Sequence, residues 1–318
     1  MHERGDIMQS SKQKRKQMLK PGEIIPIIYD YVFTSIFNNP KNIDILEVFI
    51  ADILNIPLEK IKGKVELQPR ELEIQNKNNK NAQIDLLVNI KGAKINIELQ
   101  KQKSKGIEKR NFVYHSLIHG NQMEYGNQDY SSINYSIQIR LNNYRSNDEE
   151  IVEESCMRTE NGRIVEEFFR IYEVDMVLGE KLWYTNRDER VARWCRLVRV
   201  ATMKELKEVI GDGFMGKEVD DKLIEEVNRY STDNRVIALY TKLSREELEK
   251  NTLLKEAKEE GYESGYDLGY DSGIEQNQYD IVKRMLKENL SIEFIMKMTD
   301  VSRTKIEEIK KSFIEVKQ

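Results

Sequence analysis

Eighteen residues, Gln83 to Gln100, constrain this chain more than any other stretch. They read as two short β-strands joined by a tight turn at Lys91-Gly92. With a two-residue loop Ile90 faces Ala93, and the register that follows sets Asp85 opposite Glu98, Gln83 opposite Gln100 and Leu87 opposite Asn96. The other face is apolar: Ile84 meets Leu99, Leu86 meets Ile97 and Val88 meets Ile95. One register thus sorts an oily face from a face carrying two opposed acids. Directly opposed Cβ atoms lie about 4.5–5.5 Å apart, where like charges destabilise a sheet. A divalent cation between the carboxylates reverses that sign, so the spacing points to a metal site. A solvent-facing hairpin is the alternative that spacing leaves open. The flanking apolar runs imply burial, where unpaired carboxylates are costly, and they favour the site.

Hard oxygen donors suit Mg²⁺, which takes one or two carboxylates, keeps several waters and accepts a substrate phosphate. Mn²⁺ is the other ion this donor set admits. Asp85 and Glu98 supply the carboxylates, and the backbone carbonyl of Leu99 is a candidate third ligand. Gln100 projects on the same face, placed to orient an attacking water or a phosphate oxygen. Lys101 turns to the opposite face unless the strand ends there. Lys101, Lys103, Lys105, Lys109 and Arg110 then form a local basic run, readable as a phosphate track or as a solvated helix entrance.

The rest of the composition sets bounds. The 318 residues carry a net charge of −4, which does not advertise nucleic-acid binding. No run of 18 apolar residues occurs and the N-terminus has no hydrophobic signal region, so a cytoplasmic protein that neither spans a membrane nor is secreted is expected. Cys156 and Cys195 lie far apart and suit a reducing compartment. His115 and His119, at i and i+4, read as a solvated or half-buried helix face.

Periodicity gives the organisation. A polar arm over 1–20 precedes a helix with Val32, Phe33, Ile36 and Phe37 as its stripe, then a helix over about 42–54. An extended segment over 65–75 bends at Pro69, and the hairpin over 82–100 follows. A helix over 107–125, a strand over 132–141 with one buried face and a strand over 168–177 complete an α/β core, a mixed sheet with helices on both sides, over 21–184. A helical region over 185–260 contains one helix over 190–209, with Trp194 as core anchor, and another over 222–258. Glycines at 261, 265, 269 and 273 mark a repeat read as a linker over 261–278, with a helix-pairing face as the alternative. Three amphipathic segments over 279–318 resemble a helix-turn-helix.

The signature Gln83-Ile-Asp85 and Asn96-Ile-Glu98-Leu-Gln100 resembles the PD-(D/E)XK nuclease superfamily, and more closely the Rpn-type, recombination-promoting nucleases, a transposase-like group. Asp30 to Phe37, Arg110 to Tyr114, Arg190 to Trp194, the glycine repeat and the C-terminal helices recur in the same order, so the resemblance covers about 25–315. Thr34 stands where such proteins usually carry Lys. The resemblance implies a restriction-endonuclease-like fold and a Mg²⁺-dependent DNA endonuclease linked to recombination or mobile elements. Its metal ligands map onto Asp85 and Glu98, with Gln100 where the superfamily more often has Lys. Asp30 maps to an auxiliary acid, or caps its helix. Arg110 and Tyr114 map to phosphate contacts, with packing an equal alternative for Tyr114; Lys101, in the basic run, is a further auxiliary or phosphate-binding candidate. Rival readings are a catalytically silent DNA-binding protein and a homo-oligomeric assembly component.

Overall fold

The computed structural model describes residues 19–72, 82–123, 129–146 and 149–315. Apart from Leu19 and Lys20, the expected polar arm lies outside the described residues. The chain divides into two compact units, Met1–Thr241 and Lys242–Gln318. In the first, the strands are β1 (Val65–Leu67), β2 (Glu71–Leu72), β3 (Ala82–Gln83), β4 (Leu86–Ile90), β5 (Ala93–Gln100), β6 (Ser136–Asn142), β7 (Val152–Arg158) and β8 (Ile164–Asp175). Six of them form one mixed sheet in the order β1-β4-β5-β6-β8-β7, and β2 pairs with β3 alone. The β5–β6 and β6–β8 pairs are parallel and the others antiparallel. The expected α/β core with flanking helices and a helical C-terminal region is what the chain forms.

The hairpin adopts the register read from the sequence, Ile90 opposite Ala93 and Leu86 opposite Ile97. Its turn has Lys91 at φ 52° and Gly92 at φ 92°, the left-handed pair that a two-residue hairpin loop requires. Asn89 Oδ1 accepts the Gly92 N–H at 2.9 Å. A Cβ at Gly92 would also lie 2.6 Å from Asn134 Nδ2, so that side chain would have to move.

One sheet face meets α1 (Asp30–Phe37), α2 (Ile43–Ile53), α4 (Met176–Trp183), α5 (Arg190–Leu197), α6 (Met203–Ile210) and α7 (Lys217–Thr232) in a single core containing Leu86, Val88, Ile97, Ile139 and Leu141. Trp194 anchors it: the ring stacks edge-on to Phe49 at 5.2 Å, and its N–H donates to Asp52 Oδ2 at 2.7 Å. A buried indole keeps its hydrogen bond, as its polar edge demands. The other face lies under α3 (Ile107–Gly120).

Several expectations need correction. The helix over 190–209 is two helices, because Thr202 and Glu205 form a reciprocal cap that starts α6 afresh: Thr202 Oγ1 accepts from Glu205 N at 3.2 Å and donates to Glu205 Oε2 at 2.9 Å. The strand over 168–177 begins earlier and pairs with β7, which has no apolar alternation because it is an edge strand, mostly exposed. β6 is buried on both faces, since Ser136, Gln138, Arg140 and Asn142 lie as deep as Ile139 and Leu141. Ile84 does not join the oily face; it packs with Leu87, Ile118 and Tyr114. The pairing stops at Leu86, and Ile84 bonds instead with Arg70 through its N–H and carbonyl.

In the second unit the glycine repeat is helical, part of α8 (Asn234–Lys287). The end of α8 packs with α9 (Ile292–Thr299) and α10 (Arg303–Glu315) around Val282, Ile295, Val301, Ile306 and Ile309. Among the described residues no helix is long and apolar enough to cross a membrane.

Gly92→Ala therefore meets both a left-handed backbone and an occupied space. Its expected cost is about 1–2 kcal/mol or more, the scale of placing an L-residue there. Urea unfolding checks this; an unchanged midpoint contradicts the turn as described.

Candidate active site

Asp85 sits at the bend between β3 and β4, one residue before the last pair of the β4–β5 ladder. Its Oδ2 accepts the Leu99 N–H at 2.8 Å, which ties the bend to the neighbouring strand. Asn96, Glu98 and Gln100 alternate along β5 onto the face beneath α3, and all are buried. The solvent-facing hairpin is thereby excluded. Glu98 Oε1 has no hydrogen-bond partner among protein groups.

Burial pushes the Glu98 carboxyl up to about 8, and the nearby charge of Asp85 adds to the shift. Burial also raises Asp85. The Leu99 N–H opposes that rise, the Asp30 charge reinforces it, and the Arg70 and Arg110 charges oppose it. The two acids are electrostatically coupled and each resists ionising beside the other. Arg70, on the segment before β2, is a contributor that no sequence pattern marks.

Gln100 is held at both ends of its amide. Its Oε1 accepts from Arg110 at 3.0 Å and its Nε2 faces Asn111 Oδ1 at 3.5 Å. The Arg110 guanidinium lies 5.9 Å from the Tyr114 ring, and Tyr114 packs on the Ile84–Leu87–Ile118 cluster. β5 ends at Gln100, so Lys101 escapes strand alternation. Its Nζ pairs with Asp30 Oδ2 at 3.2 Å and sits 5.5 Å from the Tyr29 ring. Asp30 is the first residue of α1, and no side chain caps that helix; the capping role is not observed. Thr34 turns its hydroxyl back to the Asp30 carbonyl at 2.7 Å. Lys103, Lys105, Lys109 and Arg110 are exposed.

His115 is not a solvated residue but fully buried, stacked on Phe169 at 3.8 Å. Burial lowers its pKa to about 4. It and Asn111 form the inner edge of α3, a feature hidden by the helix's weak apolar stripe.

A family model described as PD-(D/E)XK nuclease family transposase matches residues 27–257. The chain belongs to that family. No curated protein and no solved structure matches it. The match spans α1, the hairpin, α3 and α5 of this PD-(D/E)XK family chain and runs into α8, so the acid pair lies well inside it.

Among the described residues no group of three or more His, Cys, Asp or Glu side chains forms a ready cage. The fit to a divalent cation rests on the donor set itself: two coupled carboxylates, one with an orphaned buried oxygen, which is a donor count Mg²⁺ accepts.

A pH dependence follows for the cation-free protein. Glu98 titrates near 8 when folded and near its ordinary 4.5 when unfolded. Its contribution is complete below 4.5 and is lost as pH rises through about 8. Tm is expected to fall across that window, and Glu98→Gln to flatten the fall. Saturating Mg²⁺ should restore Tm at the alkaline end in the native sequence but not in the variant. Equal pH slopes for the two proteins argue against the buried, coupled acid.

Proposed function

We propose that this chain is a Mg²⁺-dependent DNA endonuclease acting in recombination or on mobile elements. The reading is carried by one observation: a buried carboxylate, Glu98, with an unpartnered oxygen beside a second acid, Asp85, in a chain of a nuclease transposase family. Asp85 and Glu98 would hold the cation, with the Leu99 carbonyl as a further donor. Mn²⁺ satisfies the same donors.

Hydrolysis adds a water oxygen to phosphorus and breaks a phosphorus–oxygen bond to the sugar. When bound, the cation supplies charge neutralisation at the phosphate and acidifies a water. The protein's own part is positioning. Leu99 N–H aims Asp85, while Arg110 and Asn111 hold Gln100 at the edge of the site. Gln100 contributes orientation without charge. Arg110 and Lys101 contact phosphate in this reading, Asp30 steering Lys101 through their ion pair. Lys103, Lys105 and Lys109, exposed alongside, extend the positive track over which a DNA backbone lies.

Purified protein, supercoiled plasmid and Mg²⁺ test this. Nicking should appear only with divalent cation and fall roughly 10²-fold or more in Asp85→Ala and in Glu98→Ala, the scale of losing a preorganised electrostatic contact. Nicking that survives both substitutions assigns the activity elsewhere. Salt-sensitive DNA binding with no cleavage under any divalent cation supports the silent binding protein instead.

The phosphate track makes a separate prediction. Arg110→Ala should weaken DNA binding uniformly across sequences and reduce the log–log salt slope by about one. Fluorescence anisotropy across a salt series reads this directly, and an unchanged slope removes Arg110 from the track.

A further inference from the structure

The β2–β3 ribbon continues the β1–β4 pair with one residue out of step. Gln68 N–H donates to the Leu87 carbonyl at 2.9 Å, and Ile84 N–H donates to the Arg70 carbonyl at 3.1 Å. Between those bonds a single residue, Pro69, lies against two, Asp85 and Leu86. A bulge of this kind re-aims a side chain out of the regular ladder, and here it falls at the acid. Arg70 closes the bulge twice over, since its Nε also donates to the Ile84 carbonyl at 2.9 Å. Asp85 is therefore fixed through its neighbour Ile84 and, at its carboxylate, through the Leu99 N–H.

Closing a bulge needs no more than a neutral donor. A guanidinium brings a full charge and five N–H groups, of which the Ile84 carbonyl takes one. Arg70 is half-buried. Among the described residues its Nη1 and Nη2 groups have no hydrogen-bond partner, and no carboxylate pairs with it. Arg140 is the contrast, its charge spent on Glu108 and Glu173. The Arg70 charge acts on Asp85, as that of Arg110 does.

Arg110 comes to the same acid from α3. One of its N–H groups is anchored on Gln100 Oε1 at 3.0 Å, and its guanidinium lies 5.9 Å from the Tyr114 ring. That ring packs on the cluster containing Ile84, the residue that Arg70 holds. Two arginines from separate elements thus each spend a single N–H on a neutral acceptor, and among the described residues neither has a carboxylate partner. A divalent cation would offset Asp85 and Glu98, and Lys101 already shares its charge with Asp30. The charge left over is positive and sits on Arg70 and Arg110. A guanidinium held at one edge presents the other to a pair of oxygens, which is how arginine takes a phosphate.

We propose that Arg70 is a second arginine of the phosphate site, holding with Arg110 the DNA strand that passes over the acid pair. This role rests on the reading of Asp85 and Glu98 as a nuclease site and extends that site to a residue outside both strands of the hairpin.

Arg70→Gln removes the charge and keeps a donor for the Ile84 carbonyl. The Ile84 N–H bond ends on a backbone carbonyl and survives the substitution, and circular dichroism confirms that the full-length variant is folded. Fluorescence anisotropy on duplex DNA is read across a salt series, with a chelator present so that no strand is cut. The log–log slope should fall by about one in Arg70→Gln and by about two when Arg110→Ala is added, and Arg70→Lys should restore it. An unchanged slope in Arg70→Gln overturns the contact. A purely structural role makes a different forecast, because a slack bulge would loosen Asp85 and weaken Mg²⁺ binding. Loss of a neighbouring positive charge instead leaves Mg²⁺ affinity equal or raises it. Calorimetric Mg²⁺ titration of Arg70→Gln separates the two, and weaker binding than in the native protein overturns the proposal. Plasmid nicking, expected to fall roughly tenfold or more in Arg70→Gln, distinguishes this role from the nuclease reading. If the native protein nicks and the variant nicks at the same rate, Arg70 is removed and the acid pair stays. If the native protein nicks with no divalent cation yet the variant loses slope, the nuclease reading falls and the phosphate contact stays.

Discussion

A carboxylate driven into a protein interior next to a second carboxylate is costly in every state but two: protonated, or shared with a cation. Glu98 beside Asp85 is that arrangement, and the local architecture serves to keep it. The left-handed turn at Lys91-Gly92 sets the hairpin register that brings the acids to neighbouring positions. The Leu99 N–H holds Asp85 after the strand ladder has ended. The central place of β5 in the sheet, between β4 and β6, denies Glu98 the escape that an edge strand would allow.

The two faces of that sheet divide the labour. One is a continuous oily layer under α1, α2 and α5, and it gives the scaffold its rigidity. The other carries the polar side chains of β5 and β6 beside the small apolar cluster of Ile84, Leu87 and Ile118, and is covered by α3, whose Arg110 and Asn111 reach back to Gln100. Rigid support on one side and adjustable polar contacts on the other suit a site that admits charge. The ending of β5 at Gln100 matters equally. It frees Lys101 from its expected side of the sheet and brings it to Asp30, so a cation from the strand end and an acid from α1 join the same electrostatic neighbourhood as Asp85.

The hairpin was legible because a period of two allows only one register that separates Leu86, Val88, Ile95 and Ile97 from Asp85 and Glu98. The helices α1 and α2, the anchor Trp194 and the C-terminal helices were legible through their apolar stripes. What escaped notice has a common cause. Alternation shows that two faces differ without showing what covers each, so Ser136, Gln138 and Arg140 looked solvated although α3 buries them. β7 carried no stripe because an edge strand needs none. Ile84 broke the alternation because a bend at Asp85 depends on Arg70, distant in sequence and unmarked by any pattern. The break between α5 and α6 was written in the Thr202–Glu205 spacing, but the apolar periodicity on either side masked it.

Polar burial at this scale is otherwise hard to understand. An interior of Leu and Val beneath α3 would have been simpler to satisfy, and replacing buried polar groups by apolar ones of similar shape is often neutral or stabilising. Such an interior, however, would leave Glu98 facing hydrocarbon, with the Arg110 charge and the Asp85 N–H to set against the repulsion of the Asp85 carboxylate. The layer beneath α3 instead sets the amides of Asn96 and Gln138 beside the acid, with Arg140 bonded to Gln138 and paired with Glu108 and Glu173 next to them. The polar residues of α3 and β6 therefore follow from the acid pair, while Ile107 and Ile118, toward the two ends of α3, keep the rest of that layer apolar.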